Sequence, residues 1–248
     1  MTKTILITGG SRGIGAATAI AAGSLGWNVV LTYRSDARAA AQIAEKIETL
    51  GGQARAVASD VSVEADVISV FNMCKETFGQ LDGLVNNAGI LPEVGRLEDF
   101  DLARWNKTFA VNTTGTFLCC RQAVHLMSPR HGGHGGSIVN VSSMAAVLGA
   151  AHEFVDYGAS KGAVDTLTIG LSKELGPDGI RVNGVRPGLI DTDIHGSAGD
   201  AARVERLAGG VPLGRAGTAA ETAEAIIWLL SDAASYVTGT FISVSGGR

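Results

Sequence analysis

Short apolar runs rich in β-branched residues alternate, from one end of the chain to the other, with longer segments whose apolar residues recur at helical spacing. The short runs predict seven strands: TILIT, NVVLTY, ARAVAS, DGLVNN, SIVNVS, IRVNGVRP and TFISVS. The longer segments predict six helices: GIGAATAIAAGSL, DARAAAQIAEKIETL, EADVISVFNMCKETF, LARWNKTFAVNTTGTFLCCRQAVHLM, YGASKGAVDTLTIGLSKEL and AAETAEAIIWLLS. Because parallel strands need crossover connections, this alternation predicts an α/β, doubly wound fold: a seven-stranded, mostly parallel sheet with helices on both faces.

The alternation of predicted strands and helices is interrupted once, and no linker divides the chain. No proline-rich or serine-rich stretch divides the 248 residues, so we predict a single domain over residues 1–248. The stretch 193–214 is rich in glycine, alanine and charged residues and has no clear strand. We predict that it forms a lid over a binding site, and a mobile surface loop is the alternative.

Charge and composition narrow the class of protein. Twenty lysines and arginines against 24 acidic residues give a net charge of −4, and the basic residues are scattered, which argues against nucleic-acid binding. The N-terminus shows no signal-peptide pattern, and no apolar run approaches the roughly 20 residues that cross a bilayer. We therefore expect a soluble cytoplasmic protein, with Cys74, Cys119 and Cys120 as buried thiols.

A glycine-rich turn follows the first predicted strand. The stretch TGGSRGIG, residues Thr8 to Gly15, opens the first helix, where glycines permit a tight turn and the helix N-terminus favours a phosphate. Its spacing is G-x-x-x-G-x-G rather than the G-x-G-x-x-G of the usual fingerprint. It predicts a dinucleotide pyrophosphate site, with an ordinary glycine-rich turn as the alternative.

The end of the second strand indicates which dinucleotide binds. An acidic residue at this point commonly grips the adenosine ribose, but the tip here is Tyr33, Arg34 and Ser35, with Asp36 displaced toward the next helix. Arg34, helped by Arg12, can pair with a 2′-phosphate. We predict NADP as the preferred cofactor, with NAD as the alternative if Arg34 is only a solvated charge.

A tyrosine and a lysine lie one helical turn apart in YGASK. Tyr157 and Lys161 share a helix face, and a phenol has an unperturbed pKa of about 10. A unit charge at about 4 Å with an effective dielectric of about 20 is worth about 4 kcal/mol, or roughly three pKa units. We therefore expect Lys161 to lower the pKa of Tyr157 and make it a usable acid and base.

Several motifs occur in order on the predicted β–α ladder. These are TGGSRGIG, NNAG at Asn86 to Gly89, AVNTTG with Asn112, IVNVSS with Ser143, YGASK, and RPGLIDT at Arg186 to Thr192. With them the chain resembles the short-chain dehydrogenase/reductase family over essentially its whole length. Within that family it is most similar to bacterial glucose-dehydrogenase-like oxidoreductases and ketoacyl carrier-protein reductases.

The resemblance implies a Rossmann fold, a homotetramer, a small-molecule carbonyl or alcohol substrate, and no metal, since the nicotinamide supplies the hydride. It implies that Tyr157 is the acid/base, that Ser143 anchors the substrate oxygen, and that Lys161 lowers the pKa of Tyr157 and binds the nicotinamide ribose. Asn112 would hold a proton-relaying water. The implied cofactor contacts, besides Arg34, Tyr157 and Lys161, are Gly9, Ser11, Arg12, Gly13, Ile14, Gly15, Asp60, Val61, Asn87, Ala88, Gly89, Pro187, Gly188, Ile190 and Thr192.

Other readings stay open at this point. Ser142 is a backbone or supporting hydrogen-bond partner rather than the anchor, and we expect His152 and Glu153 to be solvated loop residues more than substrate contacts. His131 and His134 are placed in a flexible glycine-rich connection rather than a metal site. The rival functions are an NAD-dependent sugar or alcohol dehydrogenase and a non-catalytic nucleotide-binding sensor.

Overall fold

The computed structural model describes residues 2–248 and, of Ser197, the backbone alone. The strands among these residues are β1 Thr4–Ile7, β2 Asn28–Tyr33, β3 Gln53–Ala58, β4 Gly83–Asn86, β5 Gly136–Val141, β6 Ile180–Pro187, β7 Ile190–Asp191, β8 Gly217–Thr218 and β9 Phe241–Val244. The main sheet has seven strands, all parallel, in the order β3-β2-β1-β4-β5-β6-β9. The seven predicted strands are confirmed.

Helices cover both faces of the sheet. They are α1 Gly13–Ser24, α2 Ala37–Thr49, α3 Glu64–Phe78, α4 Leu102–Phe109, α5 Gly115–Met127, α6 Ala145–Leu148, α7 Val155–Glu174, α8 Ile194–Ser197, α9 Arg203–Ala208 and α10 Ala219–Leu230.

The two faces follow from the alternation of side chains along each strand. In β1, Leu6 packs into the core on the side of α3 and α5, whereas Ile5 and Ile7 pack on the side of α1 and α10. Every residue of β1 and β4 is buried, as expected for central strands covered on both sides. The chain runs outward from β1 to β3 and then returns to β4 beside β1, so the strand order reverses between these two strands. Such a reversal opens a crevice at the carboxyl ends of the strands.

The predicted helix from LARW to VHLM is helical throughout in the structure but contains one π-helical turn. α4 and α5 are joined by a π-helical turn, Ala110–Thr114, in which each backbone bond spans one extra residue. The turn contains Asn112, which is fully buried. An interruption of this kind leaves the apolar spacing on either side intact, so the sequence pattern does not reveal it.

The stretch 193–214 contains two short helices, α8 and α9. It lies between β7 and β8, which pair as a separate two-stranded parallel sheet that the sequence did not predict. Two-residue strands are too short to produce a recognisable alternation.

Within residues 2–248, every helix is too short or too polar to cross a membrane.

Cys74, Cys119 and Cys120 are free and buried, as predicted. Burial raises the pKa of Cys74 and of Cys120 to about 12, so these thiols stay protonated and unreactive.

Candidate active site

A cleft of about 930 Å³ runs along the carboxyl ends of the strands, at the crevice that the topology creates. Its walls come from the turns after the strands, from α4, from the start of α7 and from the segment that holds α8 and α9. Gly15 and Asn112, two of the predicted site residues, lie behind the wall. The predicted residues that line the cleft are Gly9, Ser11, Arg12, Gly13, Ile14, Arg34, Asp60, Val61, Asn87, Ala88, Gly89, Ser143, Tyr157, Lys161, Pro187, Gly188, Ile190 and Thr192.

The glycine turn has the shape that a pyrophosphate requires. Gly9 and Gly13 have φ values of +66° and +56°, which favour glycine, and a Cβ on Gly15 would collide with the carbonyl oxygen of Gly9. The Asn87 side chain holds the turn, because its Nδ2 donates to the carbonyls of Thr8 and Gly9 at 2.9 and 3.0 Å. No side chain caps α1, so its N-terminal N–H groups remain available to a phosphate. The turn therefore fits a dinucleotide.

The adenosine end of the cleft carries an exposed guanidinium. Arg34 lies directly after β2 and lines the cleft. The carboxylate of Asp36 is engaged elsewhere, because its Oδ1 accepts from the Ala39 backbone N–H at 2.9 Å and caps α2. Hydrogen bonds from Ser62 hold the pKa of Asp60 below its usual value, and the charge of Arg34 adds to this effect. The guanidinium of Arg34 is therefore available to an anion at this end of the cleft, whereas the Asp36 carboxylate is occupied.

Tyr157 lies in the first turn of α7. Its ring meets Phe154 edge to face, with the ring centres 5.7 Å apart, and its hydroxyl lies beside the Ser143 side chain. Burial raises the pKa of Tyr157, and the polar contact with Ser143 only partly opposes this. The expected lowering of this pKa is wrong for the structure described here, because desolvation outweighs the favourable contacts.

Lys161 explains the difference. Its ammonium donates to the carbonyl oxygen of Val141 at 2.7 Å and lies 5.8 Å from the centre of the Tyr157 ring. Burial lowers the pKa of Lys161 to about 8, against an opposing effect of Asp165. The lysine is thus one turn from the tyrosine, as predicted, but it is bonded to the backbone of β5.

We expect the stability of the protein to rise with pH in the alkaline range because of Lys161. Its pKa is about 8 when folded and near 10.5 when unfolded, so between these values the unfolded chain binds more protons and the free energy of unfolding increases with pH. One pH unit corresponds to about 1.4 kcal/mol, which gives a gain of about 2–3 kcal/mol over two pH units relative to Lys161→Met. Denaturant unfolding of both proteins on the alkaline side of neutrality measures this gain. Parallel pH curves would contradict it.

Asn112 has both ends of its amide occupied. Its Oδ1 accepts from the Ile90 N–H at 2.8 Å, and its Nδ2 donates to the Ile90 carbonyl at 3.0 Å and to Ser160 Oγ at 3.1 Å. Ser160 Oγ in turn donates to the carbonyl of Tyr157 at 2.8 Å. Asn112 therefore ties the turn after β4 to α7, and its water-holding role stays a prediction.

The two serines differ in their surroundings. Ser142 is buried and donates to the Lys161 carbonyl at 3.3 Å, the backbone role expected for it. Ser143 is only half-buried, and its Oγ accepts from the Ala145 N–H at 3.1 Å. Ser143 alone of the two has its hydroxyl beside Tyr157.

Sequence reasoning missed two ion pairs at the cleft. Arg104 of α4 binds Asp156, with Nε and Oδ2 2.8 Å apart, and Arg203 of α9 binds Glu153. The expectation of a solvated Glu153 is wrong, although His152 is exposed as predicted. The partners are 50 or more residues apart in the chain, so no local pattern indicates them.

Comparison with known proteins supplies the family. Residues 9–248 match a family model described as enoyl-(acyl carrier protein) reductase. The chain is 49% identical over 243 residues to "Uncharacterized oxidoreductase YgfF" of Escherichia coli strain K12, covering 98% of both chains. It is 42% identical to "3beta-hydroxysteroid dehydrogenase 1" of Eggerthella lenta, over 99% of this chain and 93% of that protein. A short-chain type dehydrogenase/reductase from Mycobacterium ulcerans superposes with a TM-score of 0.90 at 34% identity, covering 99% of this chain and 89% of that one.

The doubly wound sheet, the glycine turn and the cleft at the reversal point are typical of an α/β dinucleotide-binding protein. The chain belongs to the short-chain dehydrogenase/reductase family. It is accordingly an enzyme of a family that uses NAD(P) and acts on alcohol or carbonyl groups.

Proposed function

We propose that this enzyme is an NADP-preferring oxidoreductase that moves a hydride between nicotinamide and a carbonyl or alcohol carbon, with Tyr157 as the acid/base. The observation that carries the proposal is that Ser143, Tyr157 and Lys161 line the same cleft as the glycine turn and Arg34. The nicotinamide, when bound, supplies or accepts the hydride. The protein supplies the proton and the orientation.

Each side chain has a defined task in this proposal. The Tyr157 hydroxyl donates a proton to the carbonyl oxygen in reduction and removes it from the alcohol in oxidation. Ser143 donates a hydrogen bond to the same oxygen and fixes its direction. A phenol carries its proton near neutrality, which is the form that donates in reduction. Lys161 braces the start of α7 against β5 and offers its remaining N–H groups to the nicotinamide ribose.

The walls next to Ser143 and Tyr157 support a substrate with an apolar body. Met144, Leu148 and Phe154 lie on the segment between the serine and the tyrosine, and Leu189 and Ile194 face the cleft from the other side. Apolar walls with few polar groups orient a ligand through those few groups. We propose that α8, α9 and the rest of 193–214 form the lid over this substrate.

We propose a homotetramer assembled through the long helices. Phe117 on α5 and Ile169 on α7 are 46% and 42% exposed, which supports helix faces covered by other copies of the chain.

The proposal is tested by a panel of neutral ketones and aldehydes, each assayed by absorbance with NADPH and with NADH. We expect turnover with NADPH at a lower KM than with NADH. A lower KM for NADH would favour the NAD-dependent sugar or alcohol dehydrogenase. Tight binding of either nucleotide without turnover of any substrate would favour the non-catalytic sensor.

A further inference from the structure

A buried ion pair joins α9 to the segment that precedes Tyr157. The guanidinium of Arg203 makes two parallel bonds to Glu153, Nη1 to Oε1 and Nη2 to Oε2, each 2.6 Å long. The Arg203 side chain is 7% exposed and that of Glu153 28%. Bidentate pairs of this geometry are the strongest and most directional that arginine forms. The hydrogen bonds from Arg203 hold the pKa of Glu153 well below its usual range.

Glu153 also holds a third segment. Its backbone carbonyl accepts from the Gly95 N–H at 2.8 Å, so the turn after β4 is bonded to the same residue. Just before it, Ala150 and His152 have φ values of +49° and +64°, in the left-handed region that non-glycine residues rarely adopt. Such strain persists only where surrounding contacts impose it. Three segments around the substrate end of the cleft therefore meet at Glu153. They are α9, the turn after β4, and the segment between Ser143 and Tyr157.

The Phe154 side chain connects the Glu153–Arg203 ion pair to Tyr157, the proposed acid/base. The Arg203 guanidinium lies 4.9 Å from the centre of the Phe154 ring, and that ring makes the edge-to-face contact with Tyr157. Phe154 is 5% exposed, so it has little room to move independently of its neighbours. A displacement of α9 would therefore change the packing around Tyr157.

We propose that the Glu153–Arg203 ion pair is a latch that holds the lid against the segment between Ser143 and Tyr157, with Arg203 as a positioning residue for Tyr157 through Phe154. The proposal rests on the proposed function of Tyr157. The latch closes the substrate end of the cleft and leaves the nucleotide end, with the glycine turn and Arg34, unaffected.

The test is a double-mutant cycle of Glu153→Gln, Arg203→Gln and the double variant, with Arg203→Lys as the conservative change. Arg215→Gln is the matched control, because Arg215 also makes two bonds to a glutamate, Glu221, but at the surface and outside the cleft. Each protein is examined for kcat and KM with NADPH and an accepted ketone, for the Kd of NADPH, and for amide hydrogen exchange of α9.

We expect each single change to lower kcat about tenfold and to speed exchange in α9 about tenfold, the size of coupling typical of contacting residues. The double variant should be no worse than either single one, and Arg203→Lys should recover part of kcat. The Kd of NADPH and all properties of Arg215→Gln should change less than about twofold, as for exposed pairs. Multiplicative losses in the double variant, or an equal loss in Arg215→Gln, would overturn the latch.

Different results would contradict the latch and the proposed function of Tyr157. If the native protein turns over no substrate while Glu153→Gln still speeds exchange in α9, the latch stands and the function of Tyr157 is wrong. If turnover is normal and neither kcat nor exchange changes in the variants, the latch is wrong and the function stands.

Discussion

Replacing Tyr157 by phenylalanine should lower kcat by about 10²–10⁴-fold while the protein still binds NADPH. The change removes one oxygen, so the ring keeps its edge-to-face contact with Phe154 and the start of α7 keeps its packing. What is lost is the proton donor beside Ser143, and general acid catalysis is worth factors of this size. Steady-state kinetics with an accepted ketone, together with fluorescence titration of NADPH, measure the two quantities separately.

The matched control is Tyr33→Phe. Tyr33 also lines the cleft and is half-buried, but it lies at the adenosine end, after which the chain continues to Arg34. We expect kcat within about threefold of native for this variant, since no acid/base work falls to it. Native-like turnover by Tyr157→Phe would assign the proton to another group. Loss of nucleotide binding would instead indicate a structural role.

Replacing Arg34 by serine should raise the KM for NADP about tenfold to a hundredfold and leave the KM for NAD nearly unchanged. A charge-assisted hydrogen bond to a phosphate is worth about 1.5–3 kcal/mol, and the exposure of Arg34 places the loss toward the lower end. Asp36 does not become a ribose ligand in the variant as long as it caps α2. Initial rates over a range of each cofactor, at constant ionic strength, measure the effect.

Arg38→Ser provides the control for charge alone. Arg38 is exposed in the first turn of α2, four residues beyond Arg34, and does not line the cleft. Both variants lose one positive charge near the adenosine end, so a general electrostatic effect would appear in both. Equal increases in the two variants, or equal increases for NADP and NAD in Arg34→Ser, would contradict a 2′-phosphate contact by Arg34.

Local patterns were sufficient for the framework of the fold. The runs NVVLTY and IRVNGVRP coincide with β2 and β6 to the residue, because each contains several β-branched residues and is bounded by turn residues. The cleft followed from the same reasoning, since the carboxyl ends of parallel strands meet at one edge. The motifs at these ends, from the glycine turn to YGASK, therefore lie together although the sequence separates them by more than 140 residues.

The sequence could not predict contacts between segments that are far apart in the chain. The i, i+4 spacing placed Lys161 beside Tyr157 but could not show that the carbonyl of Val141 binds its ammonium, or how deeply the phenol is buried. For the same reason the sign of the pKa shift at Tyr157 came out wrong: a charge–charge estimate omits desolvation. Glu153 looked like a loop carboxylate because Arg203, its partner, lies in a stretch without periodicity.

The π-helical turn at Ala110–Thr114 helps to determine which side chains of α5 face the interior. Each residue of an α-helix advances the side chains by about 100°, so one residue inserted between Gly115 and Leu118, beyond this turn, would rotate the rest of α5 by that amount. Leu118 and Cys119 would swing out of the interior, and Cys120 would leave the Asn86 amide whose Nδ2 it accepts from at 3.2 Å. We therefore expect a single-residue insertion between Gly115 and Leu118 to destabilise the fold, whereas a single-residue deletion within Ala110–Thr114 would convert the π-helical turn to an α-helical one and leave α5 in place.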